Sequence, residues 1–146
     1  MRRSIIGLAA FVVVVVVAVT PGLAAFASAR KPTASELAGI RAGVRAWWCG
    51  GGRHAGPCSS WTFIWGQALV SSVNHSWALT SYRARQQGRV PQEGLTAVLR
   101  RGTAAWKVVT SFTDLEGQPC AAASRQIHVP ERIAKDLGIC RDLPGP

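Results

Sequence analysis

The chain has 146 residues, with 17 basic against seven acidic side chains, a formal net charge of +10, and four cysteines. So few acids leave little material for paired-carboxylate hydrolysis or for a Ca²⁺ cage of six or more oxygens. The length is that expected of one domain.

Arg2 and Arg3 precede an apolar run from Ile5 to Val19, which Pro21 and Gly22 interrupt. Ala27-Ser28-Ala29 then stands before Arg30. Positive end, apolar centre and small-residue site are the order of a secretory signal peptide, so residues 1–29 are expected to be cleaved. The alternative is an uncleaved anchor, because Ile5 to Ala29 carries no charge and is long enough to span a bilayer. Removing the leader leaves 117 residues, Arg30 to Pro146, expected to form a single exported domain, secreted or extracytoplasmic. All seven acids and 15 of the 17 basic residues lie in that part, giving it a net charge of about +8.

Cys49, Cys58, Cys120 and Cys140 all lie after the leader. An even count in a small exported chain reads as two disulfides rather than as reactive thiols or metal ligands. Neighbour pairing gives Cys49–Cys58 and Cys120–Cys140. The crossed pairing, Cys49–Cys140 with Cys58–Cys120, stays open.

Thr33-Ala34-Ser35-Glu36 is a capping box. Leu37, Ile40, Val44 and Trp47 recur behind it at helical spacing, with Arg41 and Arg45 on another face, and predict a helix ending near Trp48. A glycine-rich loop follows from Cys49 to Cys58. Trp61 to Val73 and Trp77 to Arg85 read as strands around an Asn74-His75-Ser76 turn. Leu95 to Arg101 and Ala104 to Phe112 read as a hairpin with Gly102-Thr103 as a two-residue turn. That turn would pair Arg101 with Ala104, Leu99 with Trp106, Ala97 with Val108 and Leu95 with Thr110. It assigns Thr96, Val98, Arg100, Lys107 and Val109 to a wetter face. After a loop, Pro130 opens a short helix that Gly138 ends. The predicted fold is α+β: an N-terminal helix packed on a four-stranded antiparallel sheet, a short C-terminal helix and two disulfides. This order of elements resembles the cystatin-like or nuclear-transport-factor-like arrangement.

No catalytic constellation is expected. His54, His75 and His128 share no spacing, and Ser59 or Ser71 with His75 and Asp114 lacks a nucleophile elbow. Glu93, Asp114 and Glu116 fall in loops. No metal or cofactor is implied. The tryptophans are chiefly core candidates, with Trp47, Trp77 and Trp106 expected to meet. Trp48 and Trp61, beside the glycine loop, are expected to be exposed enough to stack on a ligand. Arg100, Arg101 and Lys107 are candidate anion contacts. Nucleic acid is not an expected partner, and contact with a membrane is expected only through an uncleaved leader.

Ala97-Val98-Leu99-Arg100-Arg101, Trp106-Lys107-Val108-Val109, Cys120, Val129-Pro130, Asp136-Leu137 and Cys140 follow one another in the C-terminal half. That half resembles small uncharacterised exported proteins of high-GC Gram-positive bacteria. The resemblance implies the hairpin and the place of Cys120, and carries over no catalytic residue. The functional expectation is a secreted or envelope-associated binding module without catalysis, whose partner is an anionic cell-envelope polymer or a secreted protein. The alternatives are an inhibitor presenting the Cys49–Cys58 loop to a partner enzyme, and a small hydrolase of envelope polymers.

Overall fold

A computed structural model describes residues 29–50, 54, 57–87, 89, 93–113, 115 and 118–141. The leader proposed for residues 1–29 lies outside these except at Ala29, and so do Asp114, Glu116 and most of the glycine loop. Helix α1 (Ala34–Gly50) precedes strands β1 (Trp61–Val70), β2 (Trp77–Gln86), β3 (Leu95–Arg101) and β4 (Trp106–Phe112). Two short helices, α2 (Cys120–Ile127) and α3 (Glu131–Asp136), end the described chain. The strands form one antiparallel sheet in the order β1-β2-β3-β4. Both neighbour disulfides are present, Cys49–Cys58 and Cys120–Cys140.

Capping starts α1 as its sequence dictates. The Thr33 backbone N–H donates to Glu36 Oε2 at 2.8 Å, and the Glu36 N–H donates to Thr33 Oγ1 at 3.2 Å. Arg30 adds a two-pronged contact, its Nη1 and Nη2 lying 2.8 and 2.7 Å from the Glu36 carboxylate oxygens. Arg30 also bridges to Val70, so the segment before α1 is tied to the edge of β1.

Successive strand residues alternate between faces, and both faces of this sheet are covered. On one, Val70, Ala78, Tyr82, Ala84, Ala97, Leu99 and Trp106 pack with Ile40, Val44 and Trp48 of α1. On the other, Trp77 and Val98, with Leu69, Leu79 and Phe112 at the margin, pack against Leu115 and the α2–α3 pair. The sequence reading had one helix on the sheet and left the second face wet. It missed α2, whose Cys120, Ala123 and Ile127 share a buried stripe. Val98 is therefore fully buried rather than solvated, and Trp77 belongs to the opposite core from Trp47 and Trp106. His128 in the left-handed conformation ends α2, Pro130 opens α3, and Gly138, also at positive φ, follows α3.

The β3–β4 register also differs from expectation. Arg101 pairs with Trp106, Arg100 with Lys107 and Leu99 with Val108, across a four-residue turn from Gly102 to Ala105. The shift is by two residues, so Trp106 and Val108 keep the α1 side. Its physical reason is the helix above. A Cβ at Gly39 would lie 2.7 Å from Trp106 Cδ1, and one at Gly43 would lie 2.5 Å from the Trp106 carbonyl oxygen. Only glycine admits an indole and a strand backbone this close to a helix. A bulge then leaves Val109 as the extra, exposed residue between Val108 and Thr110.

Asp136 locks the helical cap to the β1–β2 turn. Its carboxylate accepts from Ser71 Oγ at 2.7 Å, Ser72 Oγ at 2.9 Å, and the Ser72 and Val73 backbone N–H groups at 2.8 and 3.5 Å. Burial pushes this carboxyl up, but the bonds from Ser71, Ser72 and Val73 outweigh it and hold the group below its ordinary value.

Two outcomes follow from this packing. Gly43→Ala should lower stability by about 2 kcal/mol in denaturant titration, because the added methyl meets backbone. Gly50→Ala, where an added Cβ meets nothing within 4 Å, should stay within about 0.5 kcal/mol. Equal effects would place α1 further from β4 than described. The second outcome concerns acid. Hydrogen bonds from Arg30 and Thr33 pull the Glu36 carboxyl from 4.5 to about 2. A carboxyl lowered in the folded state stabilises fully above its unfolded value and loses that contribution as pH falls. Melting temperature should therefore drop between pH 4.5 and 2, and Glu36→Gln should flatten that drop while costing about 1 kcal/mol at pH 7. An unchanged pH profile in the variant would refute the assignment.

Candidate functional site

The sequence candidates separate into two groups at opposite ends of the sheet. Trp61 pairs with Gln86 at one end of β2, whereas Arg100 pairs with Trp77 at the other. The nine intervening steps correspond to about 30 Å at roughly 3.3 Å per residue. Arg83 and Arg85 lie toward the Trp61 end, so the basic strand residues do not form one cluster.

At the β3–β4 end, Arg100 and Lys107 stand directly across from each other, next to Arg101, and all three are exposed. The Arg100 guanidinium lies 5.5 Å from the centroid of the Trp77 ring, which orients it over a buried aromatic. The Arg101 backbone N–H donates to Ser76 O at 2.7 Å, fixing the corner to the β1–β2 turn. None of the three forms an ion pair with a described residue. Like charges opposite each other in a sheet disfavour folding, here by roughly 1 kcal/mol at water-like screening.

The other end is aromatic and closed. Trp48, expected to be exposed, is 2 % exposed and fully part of the core. The helical turn that carries it points it onto the sheet, where Tyr82 and Phe63 meet it edge-on at 5.9 and 6.1 Å. His54 stacks on it at 3.7 Å, and Trp61, half-buried, meets its edge at 5.3 Å. The Cys49–Cys58 bridge holds the end of α1 beside the start of β1 and so brings these rings together. Trp48 is thus unable to offer a face to a ligand, and of the pair only Trp61 keeps partial exposure.

Two residues that sequence reasoning placed on a spare helix face have work here. Arg41 lies 5.5 Å from the Trp65 centroid, and Arg45 lies 5.8 Å from both Phe63 and Trp65, which are themselves stacked at 5.3 Å. Their i, i+4 spacing was legible, but the strand beneath them was not. These cations occupy ring faces that a sugar would need.

Of the hydrolytic candidates Ser71 is used structurally, Ser59 and Glu93 are exposed, and Asp114 and Glu116 lie outside the described residues. Ser71 is fully buried and donates to Asp136, while Glu36 holds Thr33 and Arg30. His75 is exposed at its turn, and His128 caps α2. Among the described residues no three His, Cys, Asp or Glu side chains are grouped so that they could hold a metal ion. Nor is any described helix long and apolar enough to cross a membrane. Comparisons with protein-family models, curated proteins and solved structures return no match.

Trp48 supplies a test of the aromatic end. Its indole N–H is buried with no hydrogen-bond partner among the described residues, so Trp48→Phe removes an unsatisfied donor together with some volume. Trp48→Phe should cost about 1 kcal/mol, against roughly 3–5 for Trp48→Ala. Near-neutral behaviour of the alanine variant in chemical denaturation would mean that the ring is not core.

Proposed function

We propose that the chain is a non-catalytic binding module of the extracytoplasmic space, and that it holds an anionic envelope polymer against the Arg100–Arg101–Lys107 corner. One observation carries this reading. Arg100 and Lys107 face each other across two strands, beside Arg101, and no described acid neutralises them. A fold that keeps such a repulsion gains from it only when an anion arrives. The two disulfides belong to an oxidising compartment, which is where envelope polymers are met. The corner is rigid because it is built on paired strands and anchored through Ser76.

The inhibitor alternative draws less support. It needs a loop held out toward a partner, and His54, in the middle of that loop, is stacked on buried Trp48. The hydrolase alternative needs paired carboxylates, and among the described acids Glu36 and Asp136 are committed to structural hydrogen bonds while Glu93 stands exposed in a loop.

The test is binding of soluble polyphosphate and of poly-glutamate to the disulfide-intact protein across a salt series. Affinity should fall steadily with salt, as screening shortens to about 8 Å at physiological ionic strength. Changing Arg100, Arg101 and Lys107 together to Gln should weaken binding by roughly tenfold and flatten the salt slope, while the melting temperature holds or rises by a few degrees as the Arg100–Lys107 repulsion is relieved. Salt-insensitive binding that is lost in Trp61→Ala would overturn the reading in favour of stacking.

A further inference from the structure

The face of the sheet under the C-terminal helices is only partly covered. A cleft of about 280 Å³ crosses all four strands there. Its floor is Leu69, Leu79 and Phe112, one wall is Leu137 and Ile139 beyond α3, and its opposite rim is Gln67, Ser81 and Thr96. One side is thus apolar and the other polar. Continuing along β2 past Ser81 on the same face come Arg83 and Arg85, both exposed. Their cross-strand partners on β1 are Ile64 and Thr62, and Ile64 is 50 % exposed. Neither arginine forms an ion pair with a described residue. Glu93 is the nearest acid in sequence, beside Gly94, but it is exposed and unpaired with either of them.

A trench with an apolar floor and a polar rim, from which β2 leads past Ser81 to two guanidinium groups with no ion-pair partner among the described residues, has the complementarity of a single-chain amphiphile with an anionic head. We propose that this cleft binds a medium-chain carboxylate, its alkyl chain along Leu69, Leu79 and Phe112 and its head toward Arg83 and Arg85. The dimensions agree. From Leu79 to Arg83 is about 13 Å along the strand. The volume holds on the order of nine groups the size of a water at ~30 Å³ each. Charge and apolar surface are both needed: the arginines alone would hold any anion, and the trench alone any short alkane. The C-terminal disulfide, by tying Cys120 of α2 to Cys140 next to Ile139, fixes the apolar wall in place. This site is separate from the Arg100 corner and stands without it.

The experiment is titration of the disulfide-intact protein with hexanoate, octanoate, decanoate, decanol and inorganic phosphate, followed by amide chemical-shift mapping. Affinity for the carboxylates should rise about fourfold for each methylene buried and level off once the cleft is full. Shifts should centre on Leu79, Ser81, Thr96 and Phe112. Arg83→Gln with Arg85→Gln, both surface changes, should weaken decanoate about tenfold and leave decanol unaffected. The variant carrying Gln at 100, 101 and 107 should bind decanoate as the parent does, which separates this proposal from the polymer reading. Phosphate binding as tightly as decanoate, an affinity independent of chain length, decanol equalling decanoate, or shifts confined to Trp61 and Trp65 would each overturn it.

Discussion

The contact on which the rest of the fold depends is that of Trp106 with Gly39 and Gly43. A glycine inside a helix costs about 1 kcal/mol relative to alanine, and α1 accepts that cost twice on one face. In return the helix sits on β4 at backbone distance, with the Trp106 ring against Gly39 and its carbonyl against Gly43. That docking sets where the β3–β4 ladder begins. Once Trp106 opens β4 opposite Arg101, the following pair has to be Arg100 with Lys107. The basic corner is thus a consequence of core packing as much as of surface composition.

A domain of this size buries a modest core, and covering both faces of a four-stranded sheet with so few residues demands staples. The C-terminal cap illustrates the economy. Helices of eight and six residues have little stability of their own. Cys120–Cys140 closes them into one unit, which loop-closure entropy values at about 3 kcal/mol. Asp136 then fastens that unit to the β1–β2 turn through Ser71, Ser72 and Val73. Arg30 does the same just before α1, joining Val70 by backbone and Glu36 by charge. The cap therefore stays on the sheet without covering all of it, and the cleft is the part left open.

Local signals in the sequence read correctly where the cause was local. The capping box, both hairpin positions, the Pro130 start and both disulfides depend on neighbours a few to twenty residues apart, and each is where the pattern put it. What went wrong depended on distant partners. Gly102-Thr103 is a good two-residue turn by its own chemistry, but the register obeyed Trp106 and the two helix glycines. The eight residues of α2 carry a stripe of only Cys120, Ala123 and Ile127, too short a run to stand out as a helix beside the proline-bounded loop, and without α2 the second face looked wet. Trp48 was judged exposed for its place beside glycines, whereas its direction was set by the helical turn that carries it onto Tyr82 and Phe63. Of the candidate site, the charges of Arg100, Arg101 and Lys107 were readable; their facing arrangement needed the true register.

Net charge alone misstates how much of this surface can meet an anion. Arg30 is bound to Glu36, while Arg41 and Arg45 lie over Trp65 and Phe63. Those cations serve the fold, and the rings they cover are withdrawn from solvent by the same contacts. The strand arginines are different in kind: Arg83, Arg85 and Arg101 have neither a carboxylate nor a ring partner among described residues, and Arg100 has only the face of Trp77. Because alternation sends every second strand residue to one side, Arg83, Arg85, Arg100 and Lys107 share the face that carries the C-terminal cap. The cap divides them, leaving a pair at each end of the sheet with apolar surface between. A long polyanion matches the end where charge stands alone on rigid strands. A short amphiphile matches the end where charge borders a trench.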